Sequence, residues 1–129
     1  FLIKGVFMSQ FTTPLIGEWN DEMTIFTLKE PFVYYVGKLN SSEKIEVPAG
    51  FPTDFASVPK KLDWLLPPTG HYGKAAVLHD YLYEYGIGTK EKADYVFYEA
   101  MGVLKVPNFI RNIMYYAVKK FGVGNFKKN

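Results

Sequence analysis

Residues 72–101 read YGKAAVLHDYLYEYGIGTKEKADYVFYEAM. Ala75, Leu78 and Leu82 recur at helical spacing, and Gly86 and Gly88 stop the run, so the pattern predicts a helix over 72–85. Thr89 is an N-cap candidate with Glu91 and Lys92 behind it. A second helix over 90–104 then puts Ala93, Phe97, Ala100, Met101 and Leu104 on one stripe. The short link GIGTKEKA makes the two helices an antiparallel pair. His79 lies about seven residues before Gly86 and Asp94 about six after Gly88, so the two stand at matching depth in the pair. His79 and Tyr83, four apart, share a face, while Asp80 lies in the next sector with Tyr83 and Glu84.

Downstream, Pro107-Asn108 interrupts, and a third helix over 108–121 carries Ile110, Ile113, Met114, Ala117 and Val118, ending at Gly122 before a polar, basic tail. Upstream, Ser57 reads as the N-cap of a short helix over 58–65, with Pro59 in its first turn and Pro67-Pro68 at its end. The stretch before it, VPAGFPTDFASVP, is a structured loop by its prolines and glycine. Residues 24–28 and 32–36 are β-branched and aromatic and read as strands; 44–47 is a third, and 11–16 a candidate fourth. Trp19–Glu22 and Gly37–Ser42 carry turn signals. The expected fold is α+β: a small N-terminal antiparallel sheet over roughly 8–50, a short helix, then three C-terminal helices, all in one domain of 129 residues. Residues 1–7 read either as an extension before Met8 or as an extra edge strand.

Composition narrows the chemistry. Apolar residues make up 48% and aromatics 18% of the chain, enough for a packed core. A net charge of +2 gives no electrostatic support to a nucleic-acid partner, and none is expected. With no cysteine, a disulfide framework, a thiolate zinc site and a cysteine nucleophile are excluded. The two histidines, His71 and His79, are the only addresses for imidazole chemistry. No run approaches the length of a membrane helix, and the opening residues do not make a signal peptide, so neither a membrane span nor secretion is expected.

A histidine that works as a base needs an orienting partner on its second nitrogen, and Asp94 is the candidate for His79. Asp80, in the next sector, is free for a second role as metal ligand or fixed charge. The bland reading keeps His79 as a satisfied buried residue and Asp94 as a helix-start charge. In Thr53-Asp54-Phe55-Ala56-Ser57, the polar side chains suit bonding to nearby amides in a tight loop, and Asp54 is also placed to join a site near His79.

HDYLY followed by KADYVFYEAM resembles the paired signature of phospholipase A2 enzymes, His-Asp-x-x-Tyr on one helix and an Asp followed by an aromatic on the next, and is closest to the shorter bacterial and fungal type. The overlap covers about residues 72–104. The resemblance implies a hydrolase of lipid esters. In it His79 would be the base that deprotonates water, Asp94 would fix its tautomer, and Tyr83 would hydrogen-bond Asp94. Asp80 would ligate calcium, with Asp54 as a second candidate metal carboxylate. A phospholipid or membrane surface would be the partner. Two departures stand against it: no disulfides, and no clear calcium loop, for which Pro67–Gly73 and Gly50–Pro59 compete. Over residues 8–122, FTTPL, EPFVYYVG, FPTDFASVP, AAVLHDYLY and YYAVKKFG resemble a family of small phage and prophage proteins classed as a domain of unknown function. That resemblance implies phage origin, a location in the virion or the host cytoplasm, and little chemistry.

Other chemistries fare worse. A metal-dependent HD phosphohydrolase and a zinc peptidase need more ligands than two histidines supply. A Ser-His-Asp hydrolase lacks its Gly-x-Ser-x-Gly elbow. The rival to an enzyme is a virion component of tail, baseplate or decoration, partnered by other phage structural proteins, with FVYY and YYAVKKF as interface aromatics. Arg111, Lys119, Lys120, Lys127 and Lys128 beside aromatics also suit an anionic lipid surface, or simply a solvated face.

Overall fold

The computed structural model describes residues 10–59, 62, 72–122 and 125–127. The expectations for residues 1–7, for most of the short helix over 58–65, for most of the Pro67–Gly73 loop and for His71 lie outside the described residues. The chain forms two compact units, Phe1–Pro52 and Thr53–Asn129, and its class is α+β.

The first unit is built from two small antiparallel sheets. β1 (Gly17–Trp19) pairs with β2 (Phe26–Leu28), Gly17 facing Leu28 and Trp19 facing Phe26. Asn20 makes the turn between them: its side-chain oxygen accepts the amides of Thr24 and Ile25 at 2.8 and 2.9 Å. β3 (Phe32–Tyr35) pairs with β4 (Lys44–Val47) from Phe32–Val47 to Tyr35–Lys44. The period-2 alternation of β3 sends Phe32 and Tyr34 inward, where Phe11 packs on both rings. Residues 11–16 do not form the candidate strand. Phe11 makes a single bridge to Tyr34, and the paired strand lies further on, at β1. Gly50, at φ +91°, turns the chain so that its amide reaches the Leu28 carbonyl. β5 (Pro52–Thr53) is the junction between the units.

The second unit is helical. α1 (Gly73–Glu84), α2 (Lys90–Val103) and α3 (Asn108–Phe121) fall within a residue or so of the predicted ranges. Thr89 caps α2 by accepting the Lys92 amide at 3.1 Å, and Gly86 and Gly88 take the left-handed conformation that lets the chain reverse in so few residues. α1 and α2 run antiparallel. Tyr72 meets Phe97, His79 meets Asp94 and Phe97, and Tyr83 meets Asp94. α3 runs back along α2: Tyr98 packs on Tyr115 and Arg111 donates to the Tyr98 carbonyl, while Lys90 reaches Val118.

α1 is buried over most of its circumference, with Ala75, Ala76, Val77, Leu78, His79, Leu82 and Tyr83 buried, because it is packed on more than one side. On α3 the predicted stripe is narrower than expected. Met114, Ala117 and Val118 are buried, but Ile113 is 42% exposed and joins Phe109 and Tyr116 on an outward face. No helix among the described residues is long and apolar enough to cross a membrane.

Phe97 is fully buried between the Tyr72 and His79 rings, so its truncation opens a cavity at the centre of the α1–α2 seam. Phe97→Ala is expected to lower unfolding free energy by about 3–5 kcal/mol. A urea midpoint within the scatter of the native protein would refute that placement of the core.

Candidate functional site

The seam between α1 and α2 is sealed with aromatic and apolar side chains, yet it buries a histidine and an aspartate: His79 is 0% and Asp94 1% exposed. They meet directly, His79 Nε2 lying 2.8 Å from Asp94 Oδ1. A carboxylate only accepts, so Nε2 carries the hydrogen and Nδ1 holds the lone pair. Nδ1 lies 3.0 Å from Ser57 Oγ, and with the lone pair on the nitrogen the serine hydroxyl is the donor. Serine, histidine and aspartate thus form one hydrogen-bonded line.

Asp94 is held by more than the imidazole. The Tyr83 hydroxyl donates to the same Oδ1 at 2.6 Å, and Lys90 Nζ donates to Oδ2 at 2.8 Å. Lys90 also donates to the carbonyls of Val118 and Lys119, at 3.2 and 3.1 Å. Those carbonyls belong to the last turn of α3, the negative end of the helix dipole, where a cation is favoured; the Val118 carbonyl also accepts the Gly122 amide. Gly122 keeps this corner open: a Cβ there would lie 2.6 Å from the Tyr83 hydroxyl.

These contacts set the charges. Burial pushes the His79 imidazole below its usual value, against the opposing pull of Asp94, so the ring is neutral at physiological pH. Burial alone would raise the Asp94 carboxyl, but the hydrogen bonds from His79, Lys90 and Tyr83 outweigh it and hold the carboxyl below the usual range. Burial, reinforced by the neighbouring carboxylate, raises the Tyr83 phenol far above its usual value and keeps it a donor.

The loop that presents Ser57 is held by short polar side chains, as its composition suggested. Thr53 Oγ1 accepts the Phe55 amide at 3.0 Å and Asp54 Oδ1 accepts the Ala56 amide at 2.9 Å. Phe55 sits at φ +61°, an uncommon conformation for a bulky residue that the surrounding bonds impose. Asp80 ties the loop to α1: Oδ1 accepts the Ser57 amide at 3.0 Å, and Oδ2 accepts the Thr53 hydroxyl.

Beside this loop opens a cleft of about 220 Å³, lined by Asp54, Ala56, Ser57, Asp80, Tyr83, Glu84 and Asn125. The structure therefore brings His79, Asp94 and Tyr83 into one network and sets Asp80 and Asp54 along the adjoining cleft. As a calcium site the described residues fit poorly. Both Asp80 oxygens are engaged by protein donors, and among the described residues no three histidine, aspartate or glutamate side chains converge to hold a metal.

Sequence reasoning missed Ser57 and Lys90. The lack of a Gly-x-Ser-x-Gly elbow argues against a Ser–His–Asp line, yet one is present, carried by a proline-rich loop instead of a strand–helix turn. Ser57 also reads as a helix cap in the sequence, whereas its hydroxyl is directed to His79. The available signal was TDFAS, a cluster of short polar residues within an otherwise apolar loop. Nothing local announces its partner 22 residues away.

Fold and site together define a small α+β protein with a buried histidine–aspartate pair that meets a serine at the edge of a cleft. The chain belongs to the family described as Protein of unknown function (DUF1353), whose model matches residues 26–118. No curated protein and no solved structure matches it.

The depressed imidazole makes stability depend on pH. Below the usual value of 6.5 the unfolded chain takes up a proton that native His79 refuses, so this contribution is complete above 6.5 and is lost as pH falls toward the native value. Asp94 acts in the same direction below 3.8. The urea midpoint should decline from about pH 7 to about pH 5, with a shallower slope in His79→Gln. A native slope no steeper than that of the variant would count against a buried neutral imidazole.

Proposed function

We propose that this protein is a hydrolase of carboxylic esters, lipid esters among them, in which the His79–Asp94 pair is the general base. One observation carries the reading: a neutral, fully buried imidazole has Nε2 fixed by a carboxylate and Nδ1 turned toward a hydroxyl at the edge of a cleft. That is what base catalysis requires. The free nitrogen receives the proton of the attacking group, and the carboxylate stabilises the imidazolium that forms. Tyr83 and Lys90 act as positioning residues by fixing Asp94. The resemblance of HDYLY and KADYVFYEAM to the phospholipase A2 helix pair supports the same role for the dyad. Because Asp80 is engaged with the 53–57 loop, no step is routed through calcium. Among the described residues the cleft lining includes three carboxylates, of which Glu84 is ion-paired with Lys127, and no cationic side chain, which favours neutral or cationic ester substrates over anionic ones.

A second reading, an assembly component of a phage particle, draws support from α3. Phe109, Ile113 and Tyr116 recur on one outward face of that helix, with Phe109 67% exposed. Co-purification with particles, together with no esterase activity, would favour it.

The assay is hydrolysis of short-chain esters and of zwitterionic phospholipid vesicles, with and without calcium. His79→Gln should lower kcat by about 10²–10⁴-fold, and Asp94→Asn by a similar factor, with KM little changed. The acid limb of kcat/KM should fall below pH 6.5, the usual imidazole value. Native-like hydrolysis by folded His79→Gln would remove the dyad from the mechanism.

A further inference from the structure

We propose that Ser57 is the nucleophile of this hydrolysis, so that the reaction passes through an acyl-enzyme on Ser57 Oγ. The proposal rests on the assignment of His79 as base. It differs from that reading in what His79 deprotonates, which the resemblance to phospholipase A2 enzymes implies is water.

Access is the first argument. His79 and Asp94 are buried and do not line the cleft, whereas Ser57 does both: it is buried to 7% exposure, touches Nδ1 at 3.0 Å and forms part of the cleft wall. A water attacking from the cleft would have to occupy the position on Nδ1 that the serine hydroxyl already fills. The cleft communicates with the base through Ser57.

The second argument is protonation. With Nε2–H donated to Asp94, Nδ1 is the lone-pair nitrogen, and the hydrogen of Ser57 lies along the contact to it. This is the ground state an activated serine requires, and the neutral ring is ready to accept the proton.

Immobilisation of the loop is the third. Ser57 carries its backbone amide on Asp80 Oδ1, and the two residues that lead to it are pinned through Thr53 and Asp54, with Phe55 held at positive φ. A serine needed only to satisfy a buried imidazole would not require its backbone to be anchored on α1 as well. In this arrangement Asp80 is a positioning residue for the nucleophile loop. Among the described residues of the cleft lining, Asn125 is the one whose side chain has N–H groups, which makes it a side-chain donor available to the carbonyl oxygen as charge develops there.

The chemistry balances without a further reactant. As Oγ bonds to the ester carbonyl carbon, its proton passes to His79 Nδ1. The bond from that carbon to the alkoxy oxygen then breaks, and the alcohol leaves with the Nδ1 proton. Water attacks the acyl group, giving one proton to Nδ1. The carbon–Oγ bond breaks, the carboxylic acid departs, and Ser57 regains its proton from Nδ1.

The test separates nucleophile from substrate. The native protein is treated with an alkyl fluorophosphonate, which reports an activated serine whatever ester the protein prefers, and the adduct is mapped by peptide mass. A single adduct on Ser57 is expected, absent in Ser57→Ala and formed at least about 100-fold more slowly in His79→Gln. Ester hydrolysis should fall about 10³-fold or more in Ser57→Ala, and a burst of alcohol equal to the enzyme concentration should precede steady turnover by the native protein. A structural serine would move neither the adduct nor the burst. Failure of the folded native protein to label at Ser57 overturns the proposal. So does hydrolysis that survives in Ser57→Ala but is lost in His79→Gln, a result that leaves His79 as the base of a water attack. Labelling at Ser57 without hydrolysis of any ester tested supports the nucleophile and overturns the ester reading alone.

Discussion

The carboxylate of Asp94 is the constraint on which the second unit depends. It is 1% exposed, and an isolated charge at that depth would be costly. Three donors from two helices offset the cost: His79 and Tyr83 from α1, and Lys90 one turn before Asp94 on α2. Lys90 then carries the same network to the last carbonyls of α3. One buried charge therefore fixes the depth of α1 against α2 and the position of the end of α3. Hydrogen bonds to a charged group contribute roughly 1.5–3 kcal/mol each, and losing one partner leaves the rest of the charge under-solvated. Such a network tolerates little sliding, which is what a site demands of its supports.

The imidazole is shaped by the same carboxylate. Burial disfavours its charged form, and the fixed acceptor on Nε2 decides which nitrogen is left to act. Phe97 and Tyr83 pack on the ring and set its plane. The loop from Thr53 to Ser57 then adds the last element, tied to α1 through Asp80 next in sequence to His79. Adjacent residues on one helix thus serve two ends: His79 faces the helix seam, and Asp80 faces the loop. A buried network with every polar atom satisfied also stabilises, and stability and chemistry use the same contacts here.

The helix pair was legible because its signals are local. Apolar spacing, a threonine cap and two glycines fix where α1 and α2 begin and end, and equal counting from the turn places His79 opposite Asp94. Tyr83 follows from its spacing to His79. The strands were less legible. Residues 11–16 have strand-like composition, but among them only Phe11 forms a β-bridge, while Thr12 and Ile16 make single backbone hydrogen bonds, because pairing depends on a register that no single segment contains. Ile113 was misplaced on α3 for a related reason: helical period gives the stripe, while its width depends on what covers it.

Ser57 and Lys90 mark the boundary of what sequence can say. Each has an ordinary local reading, as a helix cap and as a first-turn cation, and each gains its role from a group far along the chain: Ser57 from His79, and Lys90 from Val118 and Lys119. The sequence by itself determined the α+β class, the three helices and the facing of His79 and Asp94, since these follow from periodicity, capping and the geometry of a short turn. Only the tertiary structure decided that Asp80 anchors a loop and that a serine meets the free nitrogen of the imidazole. Those contacts come from loop closure over more than twenty residues, and no local preference encodes where a closed loop comes to rest.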